Sequence, residues 1–493
     1  MKGWGGRQRG PRLIVIVNWR DSAHPEAGGA ELYCEQVARR LAAEGKEVVF
    51  LTAHASGRRK ERRDGYTVIR RGGRFTVYPW ALLWLLVHRR QVVGVIDSQN
   101  GIPFFSPLAV PRRTPVVLLL HHIHQQQFSL YFRPPLAAVG RWLERTGSRW
   151  VYGRRAVAAV SVSTRWAARR ELMLRGPIHV IPCGLNMPAT LPMVERSMSP
   201  RIACVGRLVP HKRLDLLIEA MPEVLKRVPD VELHLVGEGP ERARLHDLVT
   251  ARGLVNRVQL HGWLDAHARD ELLASAWLTV NPSMGEGWGL SVLEANAQGV
   301  PAVAFHVPGL RDSVRDGETG WLVKEESDLA HAVEDALRTL DDVATAREWA
   351  QRTRAWAARF TWDGTARMMA ELLAAERDRL ERRDPERRQS SDLITRVEIP
   401  LRTSKLSWTR AFRRTDVWSI DSGKLIVLLK SSDEESAARA LRRAGVTELM
   451  LRDPSLRVSV ARPSEILAPG SGTPACLAAR PGGMAGRRAG HAS

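Results

Sequence analysis

Leu13–Val17 reads LIVIV, five apolar residues without a break, and short runs of this kind recur along the chain. A strand that is apolar on every residue has to be covered on both faces. That is the situation of a parallel sheet wrapped by helices. A glycine-containing loop follows the first run. A helical pattern then spans about Ala30 to Glu44, with Cys34, Val37, Ala38 and Leu41 at i, i+3, i+4 and i+7 and Gly45 fitting its C-terminal end. Further strand runs lie at Val48–Thr52, Val93–Ile96, Val116–Leu120, Val157–Val162 and His179–Ile181. Strands alternating with helices imply an α/β, doubly wound parallel sheet over residues 12–185.

The pattern then repeats. Residues 186–199 (NMPATLPMVERSMS) hold two prolines and no sustained period, and read as a linker. A second set of strands follows at Ile202–Val205, Val231–Val236, Val258–Leu260, Leu278–Val280, Ala302–Ala304 and Gly320–Val323, with helices at Leu214–Val228 and Glu241–Arg252. The fold class expected is therefore two tandem Rossmann-like doubly wound domains facing a cleft, the second over residues 200–365. Helices continue to about Arg383, the last over 366–384. Residues 385–493 form an extension. Residues 384–400 are charged and polar. A small strand–helix–strand pattern lies within 416–462 (Lys424–Leu429, Glu434–Ala444, Glu448–Arg452), and the Gly-, Pro-, Ala- and Ser-rich tail after Pro463 reads as disordered.

Length and composition agree. The 493 residues suit two or three domains, and 44% apolar residues suffice for real cores. The four cysteines, Cys34, Cys183, Cys204 and Cys476, are scattered without metal-ligand spacing, which points to a reduced, cytoplasmic protein. The formal charge of +21 fits nucleic acid, an anionic membrane or phosphorylated substrates, and equally an Arg-rich genome. No apolar leader opens the chain, and Tyr78–Val87 (YPWALLWLLV) is too short to span a bilayer, which takes about 20 residues.

Three segments carry chemistry. Gly28 and Gly29 lie in HPEAGGAE between the first strand and first helix. Glycines there allow close approach to a ligand phosphate, although a βα loop uses glycine for conformation alone as readily. Gly206-Arg207-Leu208-Val209-Pro210-His211-Lys212-Arg213 follows the first strand of the second set, where doubly wound sheets bind ligands. Arg207 and Lys212 would meet phosphate oxygens there, unless the loop is simply solvated. Asn281–Glu294 (NPSMGEGWGLSVLE) holds Glu286 among Gly285, Gly287 and Gly289, with Glu294 eight residues on and early in a helix. A helix N-terminus offers N–H groups and partial positive charge to phosphate, and a carboxylate at each end accepts hydrogen bonds from hydroxyls.

Together these segments resemble the retaining GT-B glycosyltransferases of family 4, glycosyl transferases group 1. EGWGLSVLE resembles that family's E-x7-E motif, GRLVPHKR its phosphate-binding loop and VVLLLHH its strand ending in a site histidine. Phe360-Thr361-Trp362-Asp363 resembles the element before a last helix that returns to the first domain. The order agrees over residues 12–384. The resemblance implies that Arg207 and Lys212 neutralise the donor pyrophosphate, Glu286 binds donor-sugar hydroxyls and Glu294 the ribose. It also implies that Gly206, Gly287, Gly289, Leu290 and Ser291 line the sugar and phosphate, and that His121 contacts the donor sugar. Gly28 and Gly29 would approach the phosphate or acceptor, and Leu264, in HGWLD, the base. The reaction would retain anomeric configuration. Trp288 stands where the family more often has Phe. Any one of His121, His122 and His124 could instead be structural.

No D-x-D occurs, and cationic side chains with a helix end can do a metal's work on the phosphates, so no metal and no cofactor beyond the nucleotide-sugar co-substrate (GDP- or UDP-sugar) is expected. No G-x-G-x-x-G follows the first strand. Gly237-Glu238-Gly239 comes nearest, with Arg242 in the third position, which counts against a dinucleotide dehydrogenase. The expected partners are the donor and a glycan, glycolipid or lipid-linked acceptor, with a GDP-mannose donor favoured over UDP-sugars. The basic run at residues 58–74 and Arg89-Arg90 flank the YPWALLWLLV segment, as in a helix docked on the anionic inner leaflet of the plasma membrane; an ordinary packed helix beside a solvated loop fits equally. Competing readings are a GT-B phosphorylase or nucleotide-sugar epimerase, and a basic nucleic-acid-binding protein. The last lacks recognition modules and interleaved aromatics, so no nucleic acid is expected.

Overall fold

The computed structural model describes residues 12–125, 127–187, 195–381, 394–400, 417–421, 424–430, 437, 440–442, 446 and 457–461. The chain divides into two compact units, Met1–Leu380 and Glu381–Ser493.

The first lobe of the larger unit is one eight-stranded sheet: β1 (Leu13–Val17), β2 (Glu47–Thr52), β3 (Lys60–Arg63), β4 (Tyr66–Arg70), β5 (Val92–Gln99), β6 (Val116–Leu120), β7 (Val157–Ala159) and β8 (Ile178–Val180), in the order β3-β4-β2-β1-β5-β6-β7-β8. All neighbours are parallel except β3 and β4. Covering on both faces leaves every residue of β6 buried, as its VVLLL run requires.

Two stretches differ from what their sequence suggests. Residues 58–74 are not simply a loop: β3 and β4 form a hairpin, turned by Asp64 (φ 47) and Gly65 (φ 87), and β4 pairs with β2. An Asp-Gly pair adopts these angles readily, which matches the twist of the flanking strands. Five charged residues among Lys60–Asp64 had masked that signal. The strand read as Val157–Val162 ends at Ala159, because Ser161 caps helix Val162–Arg170, accepting from the Thr164 amide at 3.0 Å.

The second lobe holds β9 (Arg201–Val205), β10 (Glu232–Val236), β11 (Val258–Gly262), β12 (Thr279–Asn281), β13 (Ala302–Phe305) and β14 (Gly320–Val323). Two parallel triplets, β11-β10-β9 and β12-β13-β14, meet through an Ile202–Leu278 bridge and an Ala203 N–H donated to the Leu278 carbonyl at 3.0 Å. The order reverses between β9 and β12. The crevice beyond the carboxyl ends at such a switch point is where open α/β sheets bind ligands.

Helix Trp362–Glu381 runs back along the first lobe. Its Trp362 is 2% exposed and meets Tyr33 edge to face, with ring centroids 5.9 Å apart. Thr365 Oγ1 donates to the Pro182 carbonyl at 2.8 Å, the Leu185 amide to the Phe360 carbonyl at 2.9 Å, and Arg379 to the Arg154 carbonyl at 3.1 Å.

The smaller unit is an antiparallel sheet of β15 (Ile394–Pro400), β16 (Val417–Asp421), β17 (Lys424–Lys430) and β18 (Arg457–Ala461), in the order β16-β17-β15-β18. Val397 and Ile399 of β15 and Leu425, Val427 and Leu429 of β17 face one small core at period two. The charged and polar reading of 384–400 missed β15. Of the expected strand–helix–strand pattern, the first strand is β17 and residues 437 and 440–442 are helical; the expected strand at Glu448–Arg452 and the tail after Pro463 lie outside the described residues. So do residues 188–194 of the expected linker.

Candidate functional site

The segment after β12 is organised by its own side chains. The Ser283 amide donates to Asn281 Oδ1 at 3.2 Å, and Ser283 Oγ lies 2.6 Å from Asn281 Oδ1 and 2.8 Å from Glu286 Oε1. The Glu286 amide donates to the Pro308 carbonyl at 3.0 Å. The turn therefore holds the Glu286 carboxylate toward the loop that follows β9, whose short turn Pro210–Lys212 presents Lys212. Lys212 Nζ sits 2.5 Å from Glu286 Oε1, with both side chains less than one-fifth exposed. Burial alone would raise the Glu286 carboxyl. The Lys212 ammonium and the Ser283 hydroxyl outweigh it and hold the group below its ordinary value, so it is a carboxylate at neutral pH.

Helix Leu290–Ala297 begins directly after this loop, and Ser291 Oγ accepts from Asn281 Nδ2 at 3.5 Å. Glu294 lies within that helix, where burial raises its carboxyl against the opposing pull of Arg269. Arg207 is exposed, on the loop that also carries Gly206, and a Cβ at Gly206 would lie 3.9 Å from Lys212 Cε.

The first lobe closes against these residues. A Cβ at Gly28 would lie 3.8 Å from Arg207 Nε, and one at Gly29 would lie 3.7 Å from Leu290 Cδ2. At Gly287 a Cβ would collide with the His121 carbonyl oxygen, so the approach of the two lobes here requires glycine. Asp312 accepts from the Ser163 amide, and Arg311 Nε donates to Ser163 Oγ, both at 3.0 Å. The structure thus brings Gly28, Gly29, His121, Gly206, Arg207, Lys212, Glu286, Gly287, Gly289, Leu290 and Ser291 to one cleft. Leu264 is half-buried on the loop after β11, next to Trp263, which is 74% exposed.

His121 is built into the first lobe. Its Nε2 lies 3.0 Å from Ser98 Oγ, which donates to Asn18 Oδ1 at 3.3 Å, and its ring meets Tyr33 edge to face at 5.4 Å. The chain of donors assigns the His121 proton to Nε2. Burial lowers this ring to about 3, so it is neutral. His122 faces the other way: its Cε1 would lie 3.8 Å from a Cβ at Gly285, and burial lowers it too to about 3.

Residues not singled out from sequence support this arrangement. Glu31, 1% exposed, accepts from the Gly28 amide at 2.7 Å, Arg20 Nε at 3.0 Å and Asn100 Nδ2 at 3.1 Å. Its position three residues after Gly28 is capping-box spacing, which was readable. Ser98, Asn281 and Ser283 carry no such signal, because what they hold, the His121 ring and the Glu286 carboxylate, is set only in the folded chain. Among the described residues no three His, Cys, Asp or Glu side chains gather as metal ligands, and no helix is long and apolar enough to cross a membrane.

Comparison with known proteins decides the family. The description "Glycosyl transferases group 1" matches residues 193–356, and "Glycosyltransferase Family 4" matches residues 27–187. The alpha-D-kanosaminyltransferase of Streptomyces kanamyceticus is 34% identical over 294 residues, which is 53% of this chain and 74% of that protein. The chain belongs to the group 1, family 4 glycosyltransferases. A GDP-mannose-dependent alpha-(1-6)-phosphatidylinositol monomannoside mannosyltransferase of Mycolicibacterium smegmatis is 34% identical over 189 residues, 36% of this chain and 49% of that protein. The chain spans about half or less of the length of several curated relatives that it matches. Sucrose-phosphate synthase of Thermosynechococcus elongatus superposes with a TM-score of 0.61 at 23% identity, over 74% of this chain and 98% of that one. The fold of this family 4 chain is therefore GT-B, two Rossmann-like lobes about a cleft.

Proposed function

We propose that the chain is a retaining glycosyltransferase that moves a hexose, mannose by preference, from a nucleotide-sugar to a glycan, glycolipid or lipid-linked acceptor. The observation that carries the reading is the Lys212–Glu286 pair in the interlobe cleft, beside Arg207 and the start of helix Leu290–Ala297. Anionic and cationic groups side by side suit a ligand that is hydroxyl-rich at one end and anionic at the other. The GDP-mannose dependence in the name of the M. smegmatis relative supports the donor preference.

In this mechanism the bond from the sugar's anomeric carbon to the diphosphate oxygen breaks, and the acceptor oxygen bonds to that carbon on the same face. The acceptor proton leaves with the nucleoside diphosphate. Arg207, Lys212 and the amides of Leu290 and Ser291 stabilise charge growing on the leaving diphosphate, which is where preorganised donors act most strongly. Glu286 accepts from sugar hydroxyls and Glu294 from the ribose. Neutral His121 and Gly287 line the sugar. No metal is assigned a part.

A peripheral membrane location belongs to the same proposal. Helix Val77–His88 packs Val77, Ala81 and Leu85 into the first lobe's core, yet leaves Leu83, Leu86 and Val87 exposed beside Arg89 and Arg90. Flotation with anionic vesicles at low and high salt tests it, and absence of binding at both salts would overturn it. The transfer itself is tested by incubating the protein with GDP-mannose and with UDP-sugars, and reading the anomeric configuration of the product by NMR. An inverted product, or release of no nucleoside diphosphate from any donor, would overturn the reading.

A further inference from the structure

Three loops at the carboxyl ends of first-lobe strands converge on one cluster of rings and arginines. The loop after β1 brings Trp19 and Arg20, the loop after β4 brings Arg74 and Phe75, and the segment after β6 brings Phe132. The Arg74 guanidinium carbon lies 5.9 Å from the Trp19 ring centre, 5.8 Å from Phe75 and 4.8 Å from Phe132. Arg20 lies on the same indole at 4.2 Å.

The two arginines differ in what they are committed to. Arg20 is 7% exposed and is held by Glu31 at 3.0 Å and by Glu26 at 3.4 Å. Arg74 is exposed, and among the described residues no carboxylate pairs with it. A guanidinium set among rings keeps its in-plane N–H fork for an anion, and that fork matches the oxygens of a phosphate. Aromatic walls around one charged group are the usual make-up of a small-molecule site. Gly28, from the loop that carries Trp19 and Arg20, lies against Arg207 of the donor loop, so this cluster adjoins the place where a sugar would be handed over.

We propose that Arg74, framed by Trp19, Phe75 and Phe132, binds an anionic group on the acceptor: a phosphate ester of a sugar or polyol, free or as a lipid headgroup. The assignment rests on the glycosyl-transfer reading, since it treats the first-lobe end of the cleft as the acceptor side.

The test measures binding of glucose 6-phosphate, of glucose and of phosphatidylglycerol vesicles to wild type, to Arg74→Gln and to Arg71→Gln. Arg71 is an exposed neighbour outside the ring cluster, which matches the charge change. Each titration is run with excess GDP or UDP to occupy the donor groups. A loss of at least about tenfold in glucose 6-phosphate affinity, confined to Arg74→Gln, establishes a soluble phosphorylated acceptor. The same loss confined to vesicle binding establishes a lipid headgroup. Equal losses in both variants, binding of neither probe, or glucose binding as tightly as its phosphate would overturn the assignment. The nucleoside diphosphate titration is a separate readout: Arg74→Gln should leave it unchanged, and a wild-type protein that binds none would remove the glycosyl-transfer reading itself.

Discussion

Lys212 Nζ and Glu286 Oε1 stand 2.5 Å apart, so the cation of the loop after β9 is already engaged by the carboxylate of the loop after β12. A donor diphosphate would have to share Lys212 with Glu286. In Glu286→Gln the ammonium loses that competitor. Affinity for free nucleoside diphosphate should be kept or increased, while turnover falls about 10²–10³-fold as the sugar loses a charged acceptor. Calorimetry with the diphosphate beside steady-state kinetics separates the two effects. Parallel loss of both would show that the pair is only structural.

The same pair sets a pH dependence. Glu286 is held below its ordinary value of 4.5, so its contribution to stability is present above that value and is lost as pH falls through the lower folded value. Lys212→Met should cost about 1–3 kcal/mol at pH 7, where it leaves a largely buried carboxylate without its cation. The cost should shrink as pH falls below 4.5 and Glu286 takes up a proton in the variant. Denaturant unfolding of both proteins at pH 7 and near pH 3.5 checks this. A gap that stays constant would contradict the assigned ion pair.

Gly287→Ala drives a methyl group into the His121 carbonyl, whereas Gly285→Ala adds one that meets His122 Cε1 at 3.8 Å, an ordinary contact. The first change should destabilise by about 1–3 kcal/mol or hold the lobes apart, with turnover reduced; the second should be tolerated. Thermal unfolding and turnover of the two variants are the measurements, and equal effects would contradict the close approach at Gly287.

Trp362→Ala removes a 2% exposed indole packed on Tyr33 and should cost about 3–5 kcal/mol. Trp263→Ala, at a residue 74% exposed, should stay within about 0.5 kcal/mol. Urea unfolding followed by circular dichroism compares them.

What was legible in the sequence follows from what each residue answers to. LIVIV and VVLLL are buried on both faces, so composition alone identifies them as parallel strands, and the glycine-rich E-x7-E segment stands out because its backbone approaches the first lobe closely at Gly287. The β3–β4 hairpin was obscured because charge outweighed the Asp64-Gly65 turn signal. β15 was obscured for a related reason: Thr395 takes one of its core-facing positions, and Arg396 and Glu398 on the other face make the segment read as charged. The setting of His121 could not be read at all. Ser98 and Tyr33, which hold its ring, lie 23 and 88 residues away in sequence, and only the sheet order brings them together.

The most direct measurement is the thermal stability of wild type and Glu294→Ala with GDP, UDP and ADP, each free and as sugar conjugates. At about 100 times its dissociation constant a ligand adds roughly 2.7 kcal/mol of stability. One nucleotide class should stabilise the wild type by that order and the Glu294→Ala protein far less, with the sugar conjugate adding to the effect. Absence of a shift with every nucleotide, or an undiminished shift in Glu294→Ala, would contradict a donor site built on Lys212, Glu286 and Glu294.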